Sequence, residues 1–93
     1  MTGESLRQNV CITNPQGFHM RPAAAFVEVA NQYQCAVIVI RPGKEPVNGK
    51  SILSLLGLNA PEGTELTIEV TGPRADEALK ALIGVFERTY EDD

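Results

Sequence analysis

Apolar and polar positions along this chain change period several times, and each change marks an element. In residues 8–13 (QNVCIT), Val10 and Ile12 alternate with Asn9, Cys11 and Thr13. A period of two in so short a run predicts a strand with one buried face. Asn14, Pro15, Gln16 and Gly17 then supply a turn. From Arg21 the period lengthens: Ala23, Phe26, Val27 and Ala30 fall at i, i+3, i+4 and i+7, the stripe of an amphipathic helix. Pro22 suits its first turn, where a missing N–H costs nothing. Residues 35–40 (CAVIVI) read as a short β-branched strand, turned back by Arg41, Pro42, Gly43 and Lys44. Val47 belongs to a brief return strand, which nearby prolines mark as an irregular edge. Ser51 is a good N-cap for residues 52–58 (ILSLLGL), a stretch of about two helical turns. Residues 64–71 (TELTIEVT) alternate again through Leu66, Ile68 and Val70. The last periodic segment, residues 73–90, puts Ala75, Ala78, Leu79, Leu82 and Phe86 on one helical face. Asp76 and Glu77 lie in its first turn, where they favour the helix dipole.

The resulting order is βαββαβα, without a repeat or a long linker. It predicts an α+β fold: an open-faced two-layer sandwich whose four-stranded, mainly antiparallel sheet is covered on one face by three helices. Its 93 residues form a single domain, residues 1–93, with 1–7 and 90–93 expected to fray.

Composition narrows the function by exclusion. With 8 basic against 12 acidic side chains the formal net charge is -4, so the surface has no bulk attraction for nucleic acid or anionic lipid. The opening residues MTGESLRQN contain no apolar signal core, and no apolar run approaches a membrane span. The expected setting is the cytoplasm, with no membrane insertion. Cys11 and Cys35 fit neither a disulfide framework nor a metal spacing. Both fall in strand-like segments and read as small, reduced packing residues. With one histidine in the chain, no metal site and no cofactor are expected.

That histidine stands in residues 17–25, GFHMRPAAA, between a turn and the start of the first helix. Unpaired backbone N–H groups and the positive end of the helix dipole meet at such a point and favour an anion. Arg21 adds a guanidinium whose fork matches phosphate oxygens. Imidazole is a nucleophile toward phosphorus and forms covalent intermediates. His19 is therefore placed to hold a phosphoryl group and pass it on. The plainer reading is a histidine that caps the helix or packs in a loop. A hydrolytic triad has no nucleophile-elbow signature here.

The run GFHMRPAA resembles the active-site signature of HPr, the histidine-containing phosphocarrier family of the bacterial phosphoenolpyruvate:sugar phosphotransferase system. The resemblance extends from about residue 10 to residue 87. It includes a second signature, NGKSILSLLGL at residues 48–58, and the helix positions Phe26, Val27 and Ala30. It implies that His19 accepts the phosphoryl group through Nδ1 and that Arg21 stabilises it. Gln16, Gly17, Met20 and Pro22 would support the phosphate, and Ser51 matches a regulatory phosphorylation position. The implied partners are Enzyme I as donor, EIIA-type domains as acceptors and, in some bacteria, an HPr kinase/phosphorylase; the carrier itself would be a monomer. Such a carrier holds the group covalently and turns over no small molecule by itself. Three positions depart from the family pattern. Met20 replaces alanine or threonine, Gln16 replaces a shorter serine or asparagine that touches the histidine, and Asn59 replaces a glycine.

The second helix is apolar all round. Ile52, Leu55 and Leu58 can face the sheet, which sends Leu53 and Leu56 to the other side. One reading tucks Leu53 or Leu56 under a loop. The other is a docking patch formed by Met20, Ala24, Ile52, Leu53 and Leu56 beside His19, which in HPr-like proteins receives donor and acceptor in turn. The rivals are a nitrogen-regulatory HPr paralogue, an ACT-like ligand-sensing domain of similar element order, and a plain interaction module.

Overall fold

The alternation that ends at Ile12 begins earlier than its apolar members suggest. In a computed structural model describing residues 4–90, strand β1 spans Glu4–Cys11. Residues 4–7, expected to fray, are part of this strand. Leu6 continues the inward side of the strand, while Ser5 and Arg7 meet polar partners on the open face. Tyr90, also expected to fray, is half-buried, and its hydroxyl donates to the Val85 carbonyl at 2.8 Å. The terminal expectations for residues 1–3 and 91–93 fall outside the described residues.

The remaining elements are α1 (Met20–Ala30), β2 (Ala36–Ile40), β3 (Val47–Asn48), α2 (Ile52–Leu56), β4 (Glu65–Gly72) and α3 (Ala75–Phe86). The predicted βαββαβα order is observed. The sheet runs β1-β4-β2-β3, every neighbouring pair antiparallel. The last strand therefore lies between the first and second. Its Leu66, Ile68 and Val70 oppose Val10, Val39 and Val37 at the base of the core. On the open face Thr67 donates to Asn9 at 2.7 Å and Arg7 Nε to Glu69 at 3.3 Å. Exposed pairs of this kind contribute about 0–1 kcal/mol, so they tune register more than stability.

α1 and α3 pack against each other, α3 lies on β1 and β4, and α2 leans on α1 and β3. The buried face of α1 consists of Pro22, Ala23, Phe26, Val29 and Ala30. Val29 is buried and Val27 only half so, though Val27 still packs against the core. On α3, likewise, Val85 is buried and Phe86 only half so. Phe86 still joins Phe18 and Phe26 in a cluster with centroids 5.4–6.2 Å apart.

One cysteine does not do what the pattern implied. Cys35 is buried, just ahead of β2, but Cys11 is exposed. The alternation that sends Val10 and Ile12 into the core must turn Cys11 to the open face.

Candidate functional site

The turn before α1 is fixed from behind by backbone contacts. Gly17 N–H donates to the Asn14 carbonyl at 2.8 Å, and Phe18 N–H donates to the Ala60 carbonyl at 2.8 Å. Gly17 has φ +77°, and a Cβ there would lie 2.6 Å from the Ala60 oxygen. Only glycine meets both demands. Phe18 drives its ring into the phenylalanine cluster, edge-on to Phe26 of α1. The next residue, His19, is thus delivered to the helix start by a buried neighbour bonded to the Ala60 loop.

The supporting loop is itself held. Arg41 Nη1 donates to the carbonyls of Leu58 and Asn59, both at 2.7 Å. Asn59 adopts a left-handed conformation with φ 52°, the geometry that its amide tolerates and a glycine would favour.

His19 occupies the N-cap position of α1 with extended backbone, and its carbonyl accepts the Ala23 N–H at 3.0 Å. Its side chain makes no capping hydrogen bond to the helix. The first-turn amides that helix geometry leaves without an internal acceptor are those of Met20 and Arg21, since Pro22 has none. The half-buried imidazole instead meets Asn14, whose Nδ2 lies 3.0 Å from Nε2. Asn14 Oδ1 in turn accepts the Gln16 N–H at 3.3 Å.

His19 and Arg21 line two different shallow depressions. His19 lines one with Gln16, Leu56, Asn59 and Pro61. Exposed Arg21 lines the other with Ala24, Glu28 and Tyr90, whose phenol burial pushes above the usual tyrosine range.

On α2, Ser51 is the N-cap, and its hydroxyl accepts the Ser54 N–H at 3.2 Å. Leu55 and Leu58 are buried, Ile52 and Leu56 are half-buried, and Leu53 is 81% exposed. Met20 is 51% exposed and Ala24 half-buried. Leu56 thus shares the histidine's depression, Ala24 the arginine's, and Leu53 and Met20 are the two large exposed hydrophobics among the described residues.

Three contributors went unread in the sequence. Phe18 precedes the N-cap, the position of a hydrophobic staple, and that signal was available. Asn14 was legible as a turn former but not as a partner of His19. Arg41 reaches carbonyls 17 and 18 residues away, which no local pattern announces.

Among the described residues no group of three or more His, Cys, Asp and Glu could hold a metal, and no helix is long and apolar enough to cross a membrane.

Comparison with known proteins places this geometry. A family model described as the PTS HPr component phosphorylation site matches residues 6–88. The phosphocarrier protein HPr of Pseudomonas aeruginosa is 40% identical over 83 residues, covering 89% of this chain and 92% of that one. The phosphocarrier protein NPr of Escherichia coli is 32% identical over 89 residues, 96% and 99% of the two chains. Among solved structures, HPr of Bacillus anthracis superimposes with a TM-score of 0.80 at 34% identity, covering 87% and 95%.

Proposed function

Because this chain belongs to the HPr family, and is a phosphocarrier of the phosphotransferase system, we propose that His19 is the residue that carries the phosphoryl group. The observation that carries this reading is the chain's single imidazole, held at the start of an eleven-residue helix that it does not cap. Nδ1 attacks phosphorus as the bond to the donor breaks. The amides of Met20 and Arg21, the dipole of α1 and the Arg21 guanidinium receive the negative oxygens. Gly17 and Pro22 shape the backbone around the group, and Gln16 and Met20 form its rim.

A phosphocarrier role implies phosphotransfer partners such as Enzyme I and EIIA-type proteins. We assign their docking to Met20, Ala24, Ile52, Leu53 and Leu56. The exposure of Leu53 and Met20 supports that assignment. A flat apolar surface suits successive transient partners, which need modest interface area. Ser51 is the position at which a kinase would regulate docking, and the cytoplasm is where these partners would be met. The nitrogen-regulatory paralogue shares this chemistry and differs in its partner set. The family assignment leaves no place for the ligand-sensing reading.

Incubation with phosphoenolpyruvate and Enzyme I, followed by intact mass measurement, tests the proposal. One phosphoryl group should appear on His19, vanish in acid and survive alkali, as a P–N bond does. No mass gain, or an acid-stable phosphate, would overturn it.

A further inference from the structure

The two ends of the Asn14 side chain are engaged differently. Oδ1 accepts the Gln16 N–H at 3.3 Å, and Nδ2 lies 3.0 Å from His19 Nε2. A carboxamide held at its oxygen presents N–H groups at the other end. Nε2 is then the acceptor, and the proton of the neutral ring sits on Nδ1. In that tautomer Nδ1 has no in-plane lone pair. Attack on phosphorus through Nδ1 needs the reverse, with the proton on Nε2. Half a turn of the carboxamide supplies it, because Oδ1 then accepts Nε2–H while the Gln16 contact is given up.

We propose that Asn14 is a positioning residue that engages Nε2 in both protonation states and so decides when Nδ1 is nucleophilic. The inference deepens the His19 reading and rests on it. In the transfer step the Nδ1 lone pair forms the new P–N bond while the bond from phosphorus to the donor breaks, its electron pair leaving with the donor. The ring is then a phosphoimidazolium protonated at Nε2. That proton passes to water, and Asn14 turns back to donate to the bared Nε2. Donation opposes reprotonation of Nε2, and the protonated ring is the better leaving group. Asn14 therefore also lengthens the life of the phosphorylated state.

The test begins on the unphosphorylated protein, so it stands whether or not His19 proves to be the acceptor. Ring ¹⁵N shifts are recorded with the imidazole neutral for the wild type, Asn14→Asp and Asn14→Leu. Asn14→Asp keeps an acceptor for the Gln16 N–H, which preserves the turn, and offers Nε2 only acceptors. Asn14→Leu keeps the size and offers nothing. The wild type should hold the largest Nδ1–H fraction, Asn14→Leu should hold a smaller one, and Asn14→Asp should move almost wholly to Nε2–H. After phosphorylation, a ³¹P time course should show Asn14→Leu losing its phosphoryl group to water about three- to tenfold faster, the range set by one neutral hydrogen bond. Equal tautomer ratios in all three proteins would overturn the inference. So would a phosphoryl lifetime in Asn14→Leu equal to that of the wild type.

Discussion

At the start of α2 the Ser51 hydroxyl accepts the Ser54 N–H at 3.2 Å, whereas at the start of α1 the His19 side chain makes no capping bond. A side-chain cap contributes about 1 kcal/mol, so α2 has taken a stabilisation that α1 forgoes. The forgone cap is offset behind the helix, by the Phe18 ring in its cluster and by the Phe18 N–H bond to Ala60. Capping amides and binding an anion draw on the same donors, and under the proposed function the two helix starts divide these tasks.

Exchanging the special residue of each start would test this division. His19→Ala should show the largest effect: complete loss of the acid-labile phosphate, with little change in folding because the clamp lies at Gly17 and Phe18. The check is intact mass alongside a thermal melt. Phosphate of unchanged acid lability in that variant would end the assignment.

The next effect contrasts two leucines of α2. Leu55 is fully buried and Leu53 is 81% exposed. Leu55→Ala should cost about 2–5 kcal/mol of stability, and Leu53→Ala no more than about 0.5 kcal/mol. Leu53→Ala should nevertheless slow transfer from Enzyme I. Urea unfolding paired with transfer rates decides the point, and normal transfer by Leu53→Ala would move the docking patch elsewhere.

Arg21→Ala should slow transfer by about ten- to a hundredfold, equivalent to about 1.5–3 kcal/mol for a charge-assisted phosphate contact. Folding should hold, since Arg21 is exposed. Arg21→Lys should recover only part, because an ammonium cannot fork across two oxygens. Unchanged rates in Arg21→Ala would show that the amides of α1 suffice.

The smallest effects belong to Ser51. Ser51→Ala should cost about 0.5–2 kcal/mol of stability through the lost cap and leave transfer nearly intact. Ser51→Asp should do the opposite: the melting temperature barely moves, because aspartate also caps and favours the dipole, while transfer falls severalfold. The added charge must be desolvated against an apolar partner. A true phosphate, with about two charges, should act more strongly.

Most of this fold was legible because its signals are local. The alternation of Leu66, Ile68 and Val70 and the cap at Ser51 depend on residues within a few positions of one another. So does the proline in the first turn of α1. Errors arose where burial was decided by more than one neighbour, as with Val27 against Val29 and Phe86 against Val85. The polar start of β1 had no apolar alternation to announce it. Ser5 and Arg7 are strand residues because β4 offers them partners more than 60 residues along the chain, at Thr71 and Glu69.

The candidate site divides in the same way. The sequence by itself determined that one histidine precedes one helix, that an arginine follows it, and that Gly17 stands where the backbone must turn. Periodicity, turn chemistry and capping are properties of short segments, so they survive in a string of letters. Only the tertiary structure decided what that histidine touches. Folding brought Ala60 against Gly17 and Phe18, set Arg41 to hold the loop, and placed Leu56 in the depression beside the imidazole. These are long-range contacts, chosen by the packing of three helices on one sheet. Their energies come from shape and exclusion of water across the whole core, which no single segment encodes.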